Sequence, residues 1–122
     1  MNKEDPDRKR SREEFNEIML FVRGQDIAMR SAVGHAVNVA NGLFYERFES
    51  LEKFMNHDRA EQMKYLGALR KFQESLPEND VVTYLGFNLF GKWIAAIVAN
   101  DNELMLLFTE GLSIITEDAP DV

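Results

Sequence analysis

Residues 26–56 read DIAMRSAVGHAVNVANGLFYERFESLEKFMN, and the apolar spacing in this stretch decides the fold class. Val33, Val37, Ala40, Phe44, Phe48, Leu51 and Met55 step by four, three, four, four, three and four residues. Three such steps cover three turns at about 3.67 residues per turn, close enough to the α-helical period that the stripe runs nearly straight. The spacing predicts one long helix from about residue 26 to residue 56. Between Ile27 and Tyr45 the only formal charge is Arg30, whereas Glu46, Arg47, Glu49, Glu52 and Lys53 give the second half a polar face. A helix apolar over most of its circumference has to be covered on more than one side. Ala28, Ala32, Ala36 and Ala40, with Gly34 and Gly42, would let another helix come close.

Outward from this element the pattern stays helical. Ser11 with Glu14 forms a capping box, and Phe15, Ile18, Met19 and Val22 follow at helical spacing up to Gly24. Asp58 with Glu61 starts another helix, carrying Tyr65, Leu69, Phe72 and Leu76 before Pro77 ends it. Asp80 can cap a very apolar segment, 81–99, whose only charge is Lys92, and Leu104, Leu107, Phe108, Leu112 and Ile115 mark a last helix. The sequence therefore predicts an all-α protein of about five helices. After residue 80 a second reading stays open, α+β with short strands, because KWIAAIVA, NDN and ELMLLF also read as strand, turn and strand.

A chain of 122 residues supports one domain with its own core. We assign residues 1–10, MNKEDPDRKR, to a flexible charged arm, residues 11–116 to a single helical domain, and residues 117–122 to an acidic tail. Two stretches of similar length with a single formal charge each, 27–45 and 81–99, are hard to bury in one small monomer. The sequence therefore predicts a symmetric homodimer, or a partner, seated on Val33, Val37, Ala40, Phe44, Tyr45 and Phe48. His35 on the same helix is a candidate polar contact.

The net charge of −7 is unevenly placed. Residues 75–122 carry Lys92 alone against eight acids, an arrangement that repels a phosphate backbone. The basic run Arg8, Lys9, Arg10 and Arg12 is matched by Glu4, Asp5, Asp7, Glu13 and Glu14, so nucleic-acid binding through this arm is the alternative reading and the weaker one. No cysteine is present, which excludes disulfides, thiolate metal sites and cysteine nucleophiles. Glu46, Glu49 and Glu52, with His57 and Glu61 beyond, have metal-like spacing but lie off the apolar stripe and lack a Glu-x-x-His pair. The frame GFNLFGK at 86–92 has Trp93 where a phosphate loop needs Ser or Thr. No cofactor or metal is expected. Ile18 to Val22 is too short for the apolar core of a signal peptide. A central Lys92 between acidic flanks disfavours membrane insertion of 81–99. The expectation is a cytoplasmic, non-enzymatic protein that docks an apolar helix face on another protein as adaptor, chaperone or inhibitor. The remaining alternative is a small ligand-binding bundle.

Overall fold

The computed structural model describes residues 5–117, and within them the chain forms six helices and no strand. They are α1 (Pro6–Arg23), α2 (Ile27–Phe48), α3 (Leu51–Asn56), α4 (Arg59–Ser75), α5 (Val81–Val98) and α6 (Asn102–Glu117). The all-α reading holds. The strand alternative after residue 80 gives way to two helices joined by a tight turn. Asn100 takes a left-handed conformation with φ 58°, which Asn tolerates better than other side-chain-bearing residues. Its N–H reaches the Ile97 carbonyl at 3.0 Å, and the Asp101 N–H reaches Ala96 at 3.0 Å. These two bonds close the end of α5 in a Schellman motif. Asp101 then caps α6 by accepting from the Leu104 N–H at 3.1 Å.

Three corrections concern helix ends. First, α1 begins at Pro6, so residues 6–10 are not a flexible arm. Asp5 accepts from the Asp7 N–H at 2.8 Å, and Pro6 occupies the first turn, where its missing N–H costs nothing. Second, Glu117 of the expected acidic tail belongs to α6, while 118–122, like 1–4, lie outside the described residues. Third, the long helix is cut in two at Glu49, whose φ is 71°. Ser50 caps the new helix by accepting from the Lys53 N–H at 3.1 Å, and the Glu49 carboxylate pairs with Lys53. The physical reason is a choice between side chains. A straight helix would keep Met55 on the buried stripe, but the bend leaves Met55 52% exposed and brings Phe54 to full burial against Phe44 and Phe48. A phenylalanine removes more apolar surface from water than a methionine, which offsets the roughly 1–2 kcal/mol of a left-handed residue.

The helices enclose a core in two adjoining parts. Phe15, Val22, Val33, Leu89, Phe108 and Ile115 join α1, α2, α5 and α6. Phe44, Phe48, Phe54, Tyr65, Phe90 and Ile94 join α2, α3, α4 and α5, and Trp93 and Met105 pack on both parts. At the centre α2 and α5 cross closely. A Cβ on Gly86 would lie 2.4 Å from the Cβ of Ala36, so the missing side chain sets how near the two helices come. Charge on the apolar α5 is met from outside, since Lys92 pairs with Glu14 of α1 at 2.9 Å.

One ion pair ties the start of α1 to the α5–α6 turn. Arg8 Nε lies 2.7 Å from Asp101 Oδ2, and a second guanidinium nitrogen lies 3.3 Å from Glu103. The hydrogen bond from Arg8, helped by backbone N–H groups at the start of α6, holds the Asp101 carboxyl below its ordinary value despite partial burial. A depressed folded value stabilises the fold above the ordinary carboxylate range and stops doing so as pH falls through the folded value. Arg8→Ala is therefore expected to cost about 1 kcal/mol near neutral pH. Urea denaturation at a series of pH values should show the difference between variant and parent closing in acid. A gap that stays constant with pH would assign the loss to packing of the arginine stem.

Candidate functional site

The stripe expected to face a partner faces this chain's own core instead. Val33, Val37, Ala40, Phe44 and Phe48 are all at most 5% exposed, and only Tyr45 reaches the surface, at 41%. The ring of Phe44 contacts Tyr45, Phe48, Phe54, Tyr65 and Phe90, with centroids 5.1 to 6.0 Å away. This correction has a simple cause: α2 and α5, the two helices poor in charge, cover each other. The burial problem that points to a homodimer is thus solved within one chain. His35 is exposed on the solvent side of α2.

The other sequence candidates are dispersed. Glu46 lies in the last turn of α2, Glu49 is in the following turn and pairs with Lys53 of α3, and Glu52 lies on α3. Among the described residues no cluster of His, Asp and Glu could hold a metal ion. His57 caps α3, its Nδ1 2.7 Å from the Lys53 carbonyl and its ring edge-on to Phe48. In the basic run, Arg8 is engaged by Asp101 and Glu103, Arg10 by Asp7 at 3.3 Å, and Lys9 by Glu13 at 3.9 Å. These cations meet local acids rather than forming one positive face. One helix, α5, is long and apolar enough to cross a membrane by length and composition. It is also the helix against which α1, α2, α4 and α6 all pack.

What the sequence reading missed is a groove on the other side of α2. Helices α2 and α4 both rest on α5 but stand apart from each other, leaving a cavity of about 210 Å³. Its floor is Ala40, Leu69 and Phe87, and its walls are Leu43 from α2 and Ala68 and Phe72 from α4. Leu43 is 52% exposed and Phe72 41%, although the Phe72 ring stacks 4.6 Å from Phe87. Arg47 closes one end, its guanidinium 5.1 Å from the Phe48 ring centre and 5.5 Å from that of Tyr65. Burial pushes the Tyr65 phenol up to about 12, with Arg47 partly offsetting the rise, so this wall stays neutral at physiological pH. On the helical face of Ala68 the exposed charged residues are Lys64 and Lys71, with Glu61 at the start of α4. The signal in the sequence was present but weak: Phe72 belongs to the apolar stripe of α4, while Leu43 and Ala68 lie just off the stripes of their helices.

A larger cleft of about 390 Å³ is lined by α4, α5 and Ser11 of α1. Asn88 at its wall donates to Gln73 Oε1 at 3.2 Å, while its own Oδ1 is sealed from solvent without a partner. The fold and surface thus define an all-α bundle with open interhelical grooves. No family model matches this chain, and neither a described protein nor a solved structure matches it.

Proposed function

We propose that this chain is a non-enzymatic protein–protein interaction module that acts as a monomer and seats one amphipathic helix of a partner in the groove between α2 and α4. The observation that carries this reading is the composition of that groove: apolar walls with half-exposed Leu43 and Phe72, Arg47 at one end, and exposed Lys64 and Lys71 on the helical face of Ala68. Among the described residues, no carboxylate lies within ion-pair distance of these three cations. An apolar trough between two helices suits a third helix presenting anchors at i, i+3, i+4 and i+7. The basic rim selects a partner with acidic residues flanking those anchors, and rim charges of this kind mainly raise the rate of encounter. The mechanism is occlusion, by which the bound helix is withheld from its other contacts.

The test uses a labelled synthetic helix with leucines at i, i+3, i+4 and i+7 and glutamates flanking them, followed by fluorescence anisotropy. Saturable binding is expected, weakened at least about tenfold by Leu43→Glu. Lys64→Glu with Lys71→Glu should slow association and flatten its salt dependence. Because Leu43, Lys64 and Lys71 are exposed, the helical circular dichroism should stay unchanged in each variant. Binding that equals that of a scrambled peptide, or that ignores Leu43→Glu, would remove the groove from consideration. Sedimentation of the chain alone should give the mass of one copy.

A further inference from the structure

A second groove, between α2 and α6, differs from the first in carrying no charged residue along its length. Its cavity is about 190 Å³. One wall is Asn38 and Asn41, one turn apart on α2, and the other is Thr109, Ser113 and Thr116 on α6. Val37, Phe90, Leu112 and Trp93 form an apolar floor. In a chain whose residues are 29% charged, a cleft lined only by carboxamides, hydroxyls and hydrocarbon is a distinct chemical environment.

The hydrogen-bonding capacity of these walls is divided between the threonines, which are partly spent, and the two asparagines, which are not. The Thr109 hydroxyl donates to the Met105 carbonyl at 2.7 Å, and the Thr116 hydroxyl to Leu112 at 2.9 Å. Both protons are therefore committed to the helix backbone, which leaves oxygen lone pairs as acceptors. Trp93 also donates to Thr109, at 2.9 Å, which fixes the indole at the floor. No side-chain hydrogen bond among the described residues engages Asn38 or Asn41, so their amides supply both donors and acceptors.

We propose that this groove binds a neutral hydroxylated ring, a single saccharide unit. A charged ligand would enter without any counter-charge, at a desolvation cost that nothing in the lining offsets. A purely apolar ligand would cover the amides and hydroxyls and leave them unpaired. A pyranose has what both surfaces require: its C–H faces lie on Leu112 and Trp93, while its equatorial hydroxyls reach Asn38 and Asn41 on one side and Ser113 on the other. A concave site with an apolar floor and a few convergent polar groups is the usual form of a small-molecule pocket.

The experiment titrates glucose, galactose and N-acetylglucosamine separately into isotope-labelled protein, with glucuronate as the charged control. With at least one neutral sugar, the side-chain amides of Asn38 and Asn41 and the indole N–H of Trp93 should move along one saturable curve. Asn38→Leu and Ser113→Val, both at exposed positions, should each weaken that binding about fivefold with the helical circular dichroism retained. Glucuronate should bind more weakly than glucose by a similar factor. Three results would overturn the proposal: no saturable shift with any neutral sugar, shifts that survive both substitutions together, or glucuronate binding as well as glucose.

Discussion

Phe44→Ala is expected to destabilise the protein by about 3–5 kcal/mol, a large part of the total for a domain of this size. Phe44 is 1% exposed and its ring meets five other aromatic rings drawn from α2, α3, α4 and α5. Its removal opens a cavity where these helices converge, and neighbouring rings on separate helices cannot all collapse into it. Phe44→Glu should be worse, since it adds a carboxylate with no partner inside the core. Urea denaturation followed by circular dichroism reads the change directly. A loss under about 1 kcal/mol for Phe44→Ala would mean that this end of the bundle is loosely packed and that Phe44 faces outward after all. Tyr45, one residue on and half exposed, is the internal comparison: Tyr45→Ala should change stability far less.

The second large effect has a sign opposite to that expected from helix propensity. Glycine inside a helix is normally less stable than alanine by about 0.5–1 kcal/mol. At Gly86 the substitution should instead cost about 2–3 kcal/mol, because the new methyl would sit 2.4 Å from the Ala36 Cβ and 3.1 Å from backbone atoms of Ala36 and Val37. Backbone cannot step aside as a flexible side chain can, so α2 and α5 would have to separate along their whole contact. Gly42, on the open side of α2, has nothing within 4 Å of an added Cβ. Gly42→Ala should therefore stabilise by the ordinary helix increment. Opposite signs from one chemical change at two glycines would establish the close α2–α5 crossing. Equal, stabilising effects would show that the helices stand further apart.

Much of the helical framework is legible in individual residues. Asp26, Asp58 and Asp80 each accept from a backbone N–H three residues on, at 2.9, 2.8 and 3.2 Å, as cap residues do before an apolar periodic run. The NDN break falls where α5 ends and α6 begins. By contrast, Ser11 resembles a cap but lies inside α1, because Asp5 followed by Pro6 is a stronger start and Arg8 has Asp101 to hold it. Ser50 was the sign that α2 ends early, but periodicity through Leu51 and Met55 masked it. The groove between α2 and α4 left only a weak trace in the sequence, since it depends on two helices that are not sequence neighbours resting on a third.

By itself the sequence determined that the chain is helical up to about residue 80, where most helices start, where the apolar stripes run, and that thiol chemistry is absent. Those properties follow from local spacing and from the chemistry of single side chains. Only the tertiary structure decided what covers each stripe. The period of a helix shows that a face is buried, not whether the cover is the same chain or another. Here the answer rests on Gly86 meeting Ala36: that close approach lets α5 bury the Val33 to Phe48 stripe internally, and leaves the opposite sides of α2 to form the grooves on the surface.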